Sequence, residues 1–267
     1  MPPKPAKRRL DQALVELGLA ESRARAQALI LAGHVTVDGH PVTKAGTPVV
    51  EGAAVVLKTP DHPYVSRGAL KLSHALDAFG LDPAGYRCLD IGASTGGFTE
   101  VLLARGAVHV TAVDVGTNQL AWKLRSEPRV AVHEQTNARD LTLERLGIAP
   151  VDLIVMDVSF ISQRLILPGF PGLLVPGGQV VALIKPQFEA GPQDVGARGV
   201  VRDLQVHRRV IGEVLQAYRV HGFGIRGVVR SEPPGPHGNR EFFVWTQLGV
   251  EDRDVASDIE AALAGSA

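Results

Sequence analysis

Cys88-Leu89-Asp90-Ile91-Gly92-Ala93-Ser94-Thr95-Gly96-Gly97-Phe98-Thr99 is the stretch from which the rest of the chain is read. An apolar run reaches an acidic residue, passes through a glycine-rich turn and leaves toward Phe98, Val101 and Leu102 at helical spacing. That order describes a strand, a tight loop and a helix start, the first βα unit of an open α/β nucleotide site. Glycine lets backbone pass where a Cβ would collide, and the helix start offers unpaired N–H groups. A glycine turn with a purely structural purpose reads the same on this loop alone, so the downstream residues decide.

The spacing departs from the dinucleotide fingerprint, because Ser94 stands where G-x-G-x-x-G requires its second glycine. A second strand, Val108-His109-Val110-Thr111-Ala112-Val113-Asp114, ends on a carboxylate able to accept hydrogen bonds from a ribose diol. A ribose-bearing ligand is therefore favoured, with the question of a pyrophosphate left open. Further strands are expected at 86–91, 130–134, 151–157, 179–185, 223–229 and 241–247. Alternation of strand and helix over this length implies an α/β fold, a doubly wound and mostly parallel sheet. Pro233 to Gly238 leaves no room for a helix before the last strand, which predicts a closing antiparallel hairpin.

The chain of 267 residues is 45% hydrophobic and 21% charged, an ordinary globular composition with room for one large domain and a small one. Its net charge is zero, yet residues 1–67 carry nine lysines and arginines against six acids, and the remainder nineteen against twenty-two. A modest basic excess at one end suits a polyanion-binding module. The single cysteine, Cys88, excludes an intrachain disulfide, fits a reducing cytoplasm and reads as a small core residue. No apolar run approaches the ~20 residues that span a bilayer, and no apolar stretch follows the basic N-terminus to make a secretory signal. The nine histidines show no metal-ligand spacing, so no metal is expected.

The small domain is expected over 1–59, with a basic leader that includes Lys4 and Lys7. Leu10, Ala13, Leu14 and Leu17 predict a helix stopping at Gly18. Ser22 caps a second, with Ala26, Leu29 and Ile30 inward and Gly33 at its end. Asp38-Gly39 between two short β runs is a hairpin signal, and Val49-Val50 and Val55-Val56-Leu57 add strand. Together Arg9-Leu10-Asp11, Gly18, Ser22-Arg23, Ala26, Gly33 to Gly39 and Gly52 resemble the S-four RNA-binding domain family. The resemblance implicates Arg8, Arg9, Arg23 and Arg25 in binding structured RNA. Arginine forks match phosphates, and such contacts position RNA without reading its sequence; a solvated helix face is the plainer alternative. Residues 60–66, stiffened by Pro60 and Pro63, read as a linker that begins near Lys58, the domain at 67–250 follows, and 251–267 form an acidic, terminal helical tail.

Four charged residues mark element ends in the large domain. Lys71 begins its first helix, whose inward residues are Leu72, Ala75, Leu76 and Phe79. Asp157 and Lys185 each end a strongly apolar strand, and Glu241 opens the last one. Carboxyl ends of parallel strands face the ligand crevice, so Asp157 and Lys185 are expected beside the glycine loop. The runs Asp90 to Phe98, Asp157-Val158-Ser159-Phe160-Ile161-Ser162, Lys185-Pro186-Gln187-Phe188-Glu189 and Gly238-Asn239-Arg240-Glu241 resemble the TlyA (hemolysin A) family. These are FtsJ-like RNA 2′-O-methyltransferases with a Rossmann-like sheet preceded by an S-four domain, and the resemblance covers almost the whole chain in order.

The resemblance implies S-adenosyl-L-methionine as methyl donor and cytidine ribose in ribosomal RNA, free or in a ribosomal subunit, as acceptor. It also implies a catalytic set on Lys71, Asp157, Lys185 and Glu241. Lys185 then takes the 2′-hydroxyl proton or stabilises the forming alkoxide, and both readings stand at this point. For the cofactor, Gly92, Ser94 and Gly97 are expected along its methionine and ribose side, Asp90 near its amino group and Asp114 on the ribose hydroxyls. Asn137 is a candidate for the adenine edge, and Asp140 either shares that role or caps the next helix. Phe188 to Arg202 is too glycine-rich for regular structure and reads as a mobile flap offering Arg198 and Arg202 to phosphate, or as a surface loop. Trp122 and Trp245 read as core or cofactor-wall residues. The competing classes are an RNA-binding adaptor without turnover, a hemolysin, and a pseudouridine synthase, which would need no such glycine loop.

Overall fold

The computed structural model describes residues 7–20, 22–31, 33–57 and 63–264. Lys4 of the basic leader, and Lys58 and Pro60 of the expected linker, lie outside the described residues. The chain divides into two compact units, Met1–Pro63 and Tyr64–Ala267.

In the first unit β1 (Lys7–Arg9) precedes α1 (Leu10–Glu16) and α2 (Arg23–Leu31), followed by β2 (Val35–Val37), β3 (His40–Pro41), β4 (Pro48–Val50) and β5 (Val55–Leu57). β1 pairs antiparallel with β4, while β3, β2 and β5 form a three-stranded antiparallel sheet. The Asp38-Gly39 turn has positive φ at both residues, as a two-residue hairpin requires. Leu10, Leu14, Ala26, Ile30 and Val35 are fully buried in a small core. Leu17 departs from expectation: α1 ends one residue earlier, and Leu17 is 47% exposed as its C-cap. The Lys7–Arg9 stretch, read as a leader, is a strand because β4 supplies its ladder partners.

The second unit opens with α3 (Gly68–Phe79) and β6 (Arg87–Ile91), then α4 (Gly97–Ala104), β7 (His109–Val113), α5 (Trp122–Arg125) and β8 (Val130–His133). Next come α6 (Leu143–Leu146), β9 (Val151–Met156), β10 (Leu174–Ile184), α7 (Pro186–Glu189), α8 (Leu204–Val220), β11 (Phe223–Arg230), β12 (Phe242–Leu248) and α9 (Ala256–Ala264). Strands β6 to β12 make one seven-stranded sheet in the order β11-β12-β10-β9-β6-β7-β8. The ladders among β8, β7, β6, β9 and β10 are parallel; β12 runs antiparallel to both β10 and β11. This is the Rossmann-like arrangement with an antiparallel last strand, slotted between β10 and the edge strand β11.

Alternate residues of each strand feed two separate cores. Leu89, Ile154, Met156, Val180, Ala182 and Val244 pack on one side with α8, whereas Cys88, Leu153, Val155, Val181, Leu183 and Phe243 pack on the other with α3 and α4. Strands covered on both faces are apolar throughout, which is why they stood out as continuous runs. Chain order reverses between β6 and β9, and the crevice beyond their carboxyl ends is the switch point of the sheet.

Three local expectations are corrected. Phe188 to Arg202 holds regular structure: α7, 3₁₀ turns at Pro192–Asp194 and Ala197–Gly199, and a Gly196–Val200 bridge. The order comes from outside the segment, where the Asn239 amide donates to the Gly199 carbonyl at 2.9 Å and accepts from the Val201 N–H at 3.2 Å. Trp122 is 78% exposed, since the single turn of α5 buries only Leu124. Asp140 does not cap α6; Thr142 does, its hydroxyl accepting the Arg145 N–H at 3.1 Å. Among the described residues no helix is long and apolar enough to cross a membrane.

Leu102 lies fully buried where α4 packs on the sheet. Leu102→Ala is expected to cost about 2–5 kcal/mol in urea unfolding; a change below about 0.5 kcal/mol would mean that α4 does not anchor this face.

Candidate active site

The loop joining β6 to α4 sets the site. Gly92, Ser94 and Gly96 all have positive φ, so the backbone curls back on itself before α4 begins. A Cβ on Gly92 would lie 2.5 Å from the Asp157 carbonyl oxygen, so only glycine lets the ends of β6 and β9 come this close. The Gly92 and Ala93 N–H groups donate to the Val113 carbonyl at 2.9 and 3.1 Å, tying the loop to β7.

Asp114, just past β7, completes the turn. Its carboxylate accepts the Ser94 N–H at 2.8 Å through one oxygen and the Gly116 N–H at 2.7 Å through the other. Each oxygen retains a further lone pair, and Asp114 lines a cavity of about 580 Å³ that also reaches Gly92, Asn137, Asp157 and Phe160. Asn137 lines this cavity and accepts the Arg139 N–H at 3.0 Å. A second cavity of about 250 Å³ shares Gly92, Ser94 and Asp157 and adds Lys71, Gly97 and Pro234. The shared residues make the two cavities halves of one cleft.

Two ion pairs meet at that cleft. Lys71 Nζ lies 2.6 Å from Glu241 Oε2, both side chains being buried. Lys185 Nζ lies 2.5 Å from Asp157 Oδ1 and donates to the Ser159 hydroxyl at 2.9 Å. Gln187 connects them: two residues beyond Lys185, its amide donates to Glu241 Oε1 at 3.0 Å. Lys71 and Asp157 line the same half of the cleft, so residues from α3, β9, β10 and the start of β12 converge on one rim. The Lys71–Glu241 pair is buried and the Lys185–Asp157 pair partly so, and two ammonium groups with two carboxylates keep the local charge neutral, which lets ions persist away from bulk water.

Asp90 stands apart from the other candidates. It is fully buried beneath the loop and lines neither half of the cleft. Its Oδ2 accepts the Thr99 hydroxyl at 2.6 Å, while Oδ1 is without a hydrogen bond. Burial, reinforced by the nearby Asp157 and Asp114 charges, pushes its carboxyl up to about 7 against the Thr99 hydrogen bond. Gly97 borders the cleft, but a Cβ there would meet Ser66 Oγ at 2.2 Å and the Ala69 nitrogen at 2.9 Å, so it also lets α3 and α4 start side by side.

Sequence reasoning passed over Ser159, Gln187 and Glu189 as individuals, although the runs containing them were noticed. It also missed Glu134, which accepts the Asn118 and Gln119 N–H groups at 2.8 and 3.0 Å and folds the loop beside Asp114. Phe160 is 90% exposed at φ 64° and lies 5.0 Å from the Phe188 ring. Trp245 is no wall of the cleft; it packs 5.7 Å from Phe79 and donates to Gln179 at 2.8 Å.

In the first unit, Arg8, Arg9 and Arg23 face acids. Buried Asp11 accepts from both Arg9 Nε and Nη2 at 3.0 Å, from Gln27 at 2.9 Å and from Arg23 at 3.3 Å. Arg9 and Gln27 hold its carboxyl well below the usual carboxylate range. Arg8 pairs with Glu16 at 2.5 Å, and the Arg25 N–H donates to Ser22, which caps α2. Asp11 thus fans Arg9 and Arg23 out from one buried anchor. Among the described residues, no cluster of three or more His, Cys, Asp or Glu is placed to hold a metal ion.

Residues 64–248 match the FtsJ-like methyltransferase family and residues 8–55 match the S4 domain. Over 256 residues, 96% of this chain and 95% of the relative, the sequence is 48% identical to the 16S/23S rRNA (cytidine-2′-O)-methyltransferase TlyA of Mycobacterium tuberculosis. The chain belongs to the TlyA family of FtsJ-like methyltransferases. A solved structure from Streptococcus thermophilus that carries a hemolysin assignment matches this TlyA-family chain with TM-score 0.77 and 42% identity, covering 97% of it and 95% of the other chain. An S-adenosylmethionine-dependent methyltransferase from Mesorhizobium loti shares the fold alone, with TM-score 0.50 and 19% identity over 65% of this chain and 96% of its own. The FtsJ-like match runs from the residues before α3 through Leu248, the end of β12, and so contains every residue of the cleft.

The raised Asp90 carboxyl has a signed consequence for the TlyA-family fold. Above pH 4 the unfolded chain has lost this proton, while the folded protein keeps it until about pH 7. Asp90 therefore subtracts stability as pH rises through that window. Asp90→Asn does not titrate, and its stability relative to the native chain should rise by about 3 kcal/mol between pH 5 and 8 in urea unfolding of ligand-free protein. A pH-independent difference would place the carboxyl in a polar environment instead.

Proposed function

We propose that this chain transfers the methyl group of S-adenosyl-L-methionine to the 2′-hydroxyl of cytidine in ribosomal RNA. The observation that carries the reading is the meeting of the Lys71–Glu241 and Lys185–Asp157 pairs at the rim of the Gly92–Ser94 loop. The curated function of the TlyA relative supports the acceptor, and the S4 match supports RNA as the partner.

The residues present fit the cofactor. Asp114 offers the cleft its spare lone pairs for a ribose diol, Asn137 stands on the same cavity for the adenine edge, and the Gly92–Ser94 backbone borders the methionine side. The unpaired Asp90 Oδ1 belongs to β6, the strand that leads into that loop. Bound S-adenosyl-L-methionine supplies an electrophilic methyl group on a sulfonium.

The chain's own residues then handle the hydroxyl. An ammonium engaged with a carboxylate donates hydrogen bonds and has no lone pair to receive a proton. In the pairing seen here Lys185 is therefore the cation that stabilises the developing 2′-oxyanion. Asp157, which lines both halves of the cleft, is the anionic acceptor for the proton that the hydroxyl loses. Lys71 and Glu241, held through Gln187, brace the same rim beside Asp157. In the first unit Arg8, Arg9, Arg23 and Arg25 hold RNA by its phosphates, with Asp11 setting the direction of two of them.

Radiolabelled methyl transfer to unmodified ribosomal RNA, with 2′-O-methyl mapping, tests the reading. Lys185→Ala should lower turnover about 10²- to 10³-fold while calorimetric S-adenosylmethionine affinity and RNA binding stay within about threefold. Label on a base atom, or full activity in the variant, would refute it; native protein that binds RNA without transfer would make it an adaptor. Separately, Arg8→Ala with Arg25→Ala should weaken ribosomal RNA binding and flatten its salt dependence by about one counterion per lost phosphate contact. An unchanged slope would remove these arginines from the interface.

A further inference from the structure

The loop after β9 carries Asp157 and Ser159, and the turn after β10 carries Lys185. Their mutual geometry is the geometry of the Lys185 ion pair. Strand pairing between β9 and β10 runs no further than Ala182 and Met156; past it Asp157 is tied to β6 through the Ile91 carbonyl and Ile184 to β12 through Phe242. The β9–β10 ladder itself does not hold Asp157 and Lys185 against each other.

Glu189, the last residue of α7, spans that gap. Its Oε2 accepts the Ser162 hydroxyl at 2.5 Å and its Oε1 accepts the Gln163 N–H at 2.8 Å. Arg164 Nε lies 3.3 Å from Oε2, and the same guanidinium donates to the Glu189 carbonyl at 3.1 Å. The Glu189 side chain is 3% exposed, so each donor counts against the cost of burying a carboxylate. The donors are themselves anchored: Arg164 reaches Glu213 at 3.1 Å, and the Tyr218 hydroxyl donates to the Gln163 side chain at 3.0 Å, Glu213 and Tyr218 both coming from α8. At its other end the loop is fixed by the Asp157 N–H donating to the Ile91 carbonyl at 2.9 Å. Between these two anchors stand Ser159 and the positive-φ Phe160, which rests on Phe188.

We propose that Glu189 is a positioning residue for methyl transfer: by fastening residues 162–164 to the turn that begins at Lys185, it sets the distance and direction between Lys185 and its partners Asp157 and Ser159. The inference rests on the methyltransferase reading above. It gives Glu189 no contact with the cofactor or the acceptor. Its effect passes through the ion pair, and misplacing a reacting group by an ångström is enough to cost about 10²-fold in rate.

Glu189→Gln keeps the shape and one acceptor oxygen but turns an N–H toward Ser162 or Gln163. With the full-length protein, kcat should fall about tenfold to a hundredfold. KM for ribosomal RNA and S-adenosylmethionine affinity should stay within about twofold, the kcat–pH profile should be displaced, and hydrogen exchange over residues 157–165 should quicken. The charged and titratable groups around Glu189 are Arg164 on its carboxylate, Glu213 on Arg164, and Tyr218 on the side chain of Gln163, whose N–H Glu189 accepts. A loss of kcat that merely follows the unfolded fraction, with an unmoved pH profile, would overturn the proposal, as would kcat within twofold of native. Should Glu189→Gln not fold, Ser162→Ala removes a single donor and should give the same pattern at smaller amplitude; native kcat there would overturn the proposal. Native protein without methyl transfer would sink the functional reading instead, and the exchange measurement would still report whether Glu189 ties the two segments.

Discussion

Lys185 and Asp157 stand past the carboxyl ends of neighbouring parallel strands, 2.5 Å apart, and the rest of the site is arranged to keep them there. The β9–β10 ladder ends before this ion pair, and partly desolvated charges are stable only in good geometry. The protein meets this from three sides. Gly92 lets the β6 loop close against the Asp157 backbone, Gln187 links the pair to Lys71 and Glu241, and Glu189 fixes the far end of the Asp157 loop.

The sheet order explains why these groups can meet. Asp157, Lys185 and Glu241 lie on or beside β9, β10 and β12, which are consecutive in the sheet although their sequence spacing is uneven. Because β12 is antiparallel to β10, the start of one lies beside the end of the other, with Phe242 paired to Ile184. Glu241 thus reaches the rim where Lys185 stands. A parallel β12 would have carried it to the far end of the sheet. Lys71 arrives from α3, whose first turn packs against the start of α4 across Gly97.

Much of this was legible in the residues. Strands buried on both faces are unbroken apolar runs, so the charge that ends each one is conspicuous, and Asp114, Asp157 and Lys185 were found that way. Lys71 and Glu241 acquired meaning through the family resemblance, since a lysine on a helix and a glutamate before a strand are commonplace alone. What stayed hidden depends on contacts distant in sequence. Asp90 sits one residue before the loop, yet strand alternation turns it inward beneath that loop, away from the cleft. Glu189 has partners 26 and 27 residues away. The glycines of 191–199 suggested disorder because sequence does not show that Asn239 pins them. Trp122 looked like core because nothing in its neighbourhood reveals that α5 lasts a single turn.

A crystal structure of the protein with S-adenosylhomocysteine tests the central claim most directly. The account predicts the ribose hydroxyls on Asp114 and the sulfur over the Ser94 turn, facing both ion pairs from the half of the cleft that Lys71 and Asp157 share. A nucleoside seated elsewhere, for example in the groove lined by Arg226 and Trp245 between α3 and α9, would contradict it, as would a sulfur turned away from Lys185.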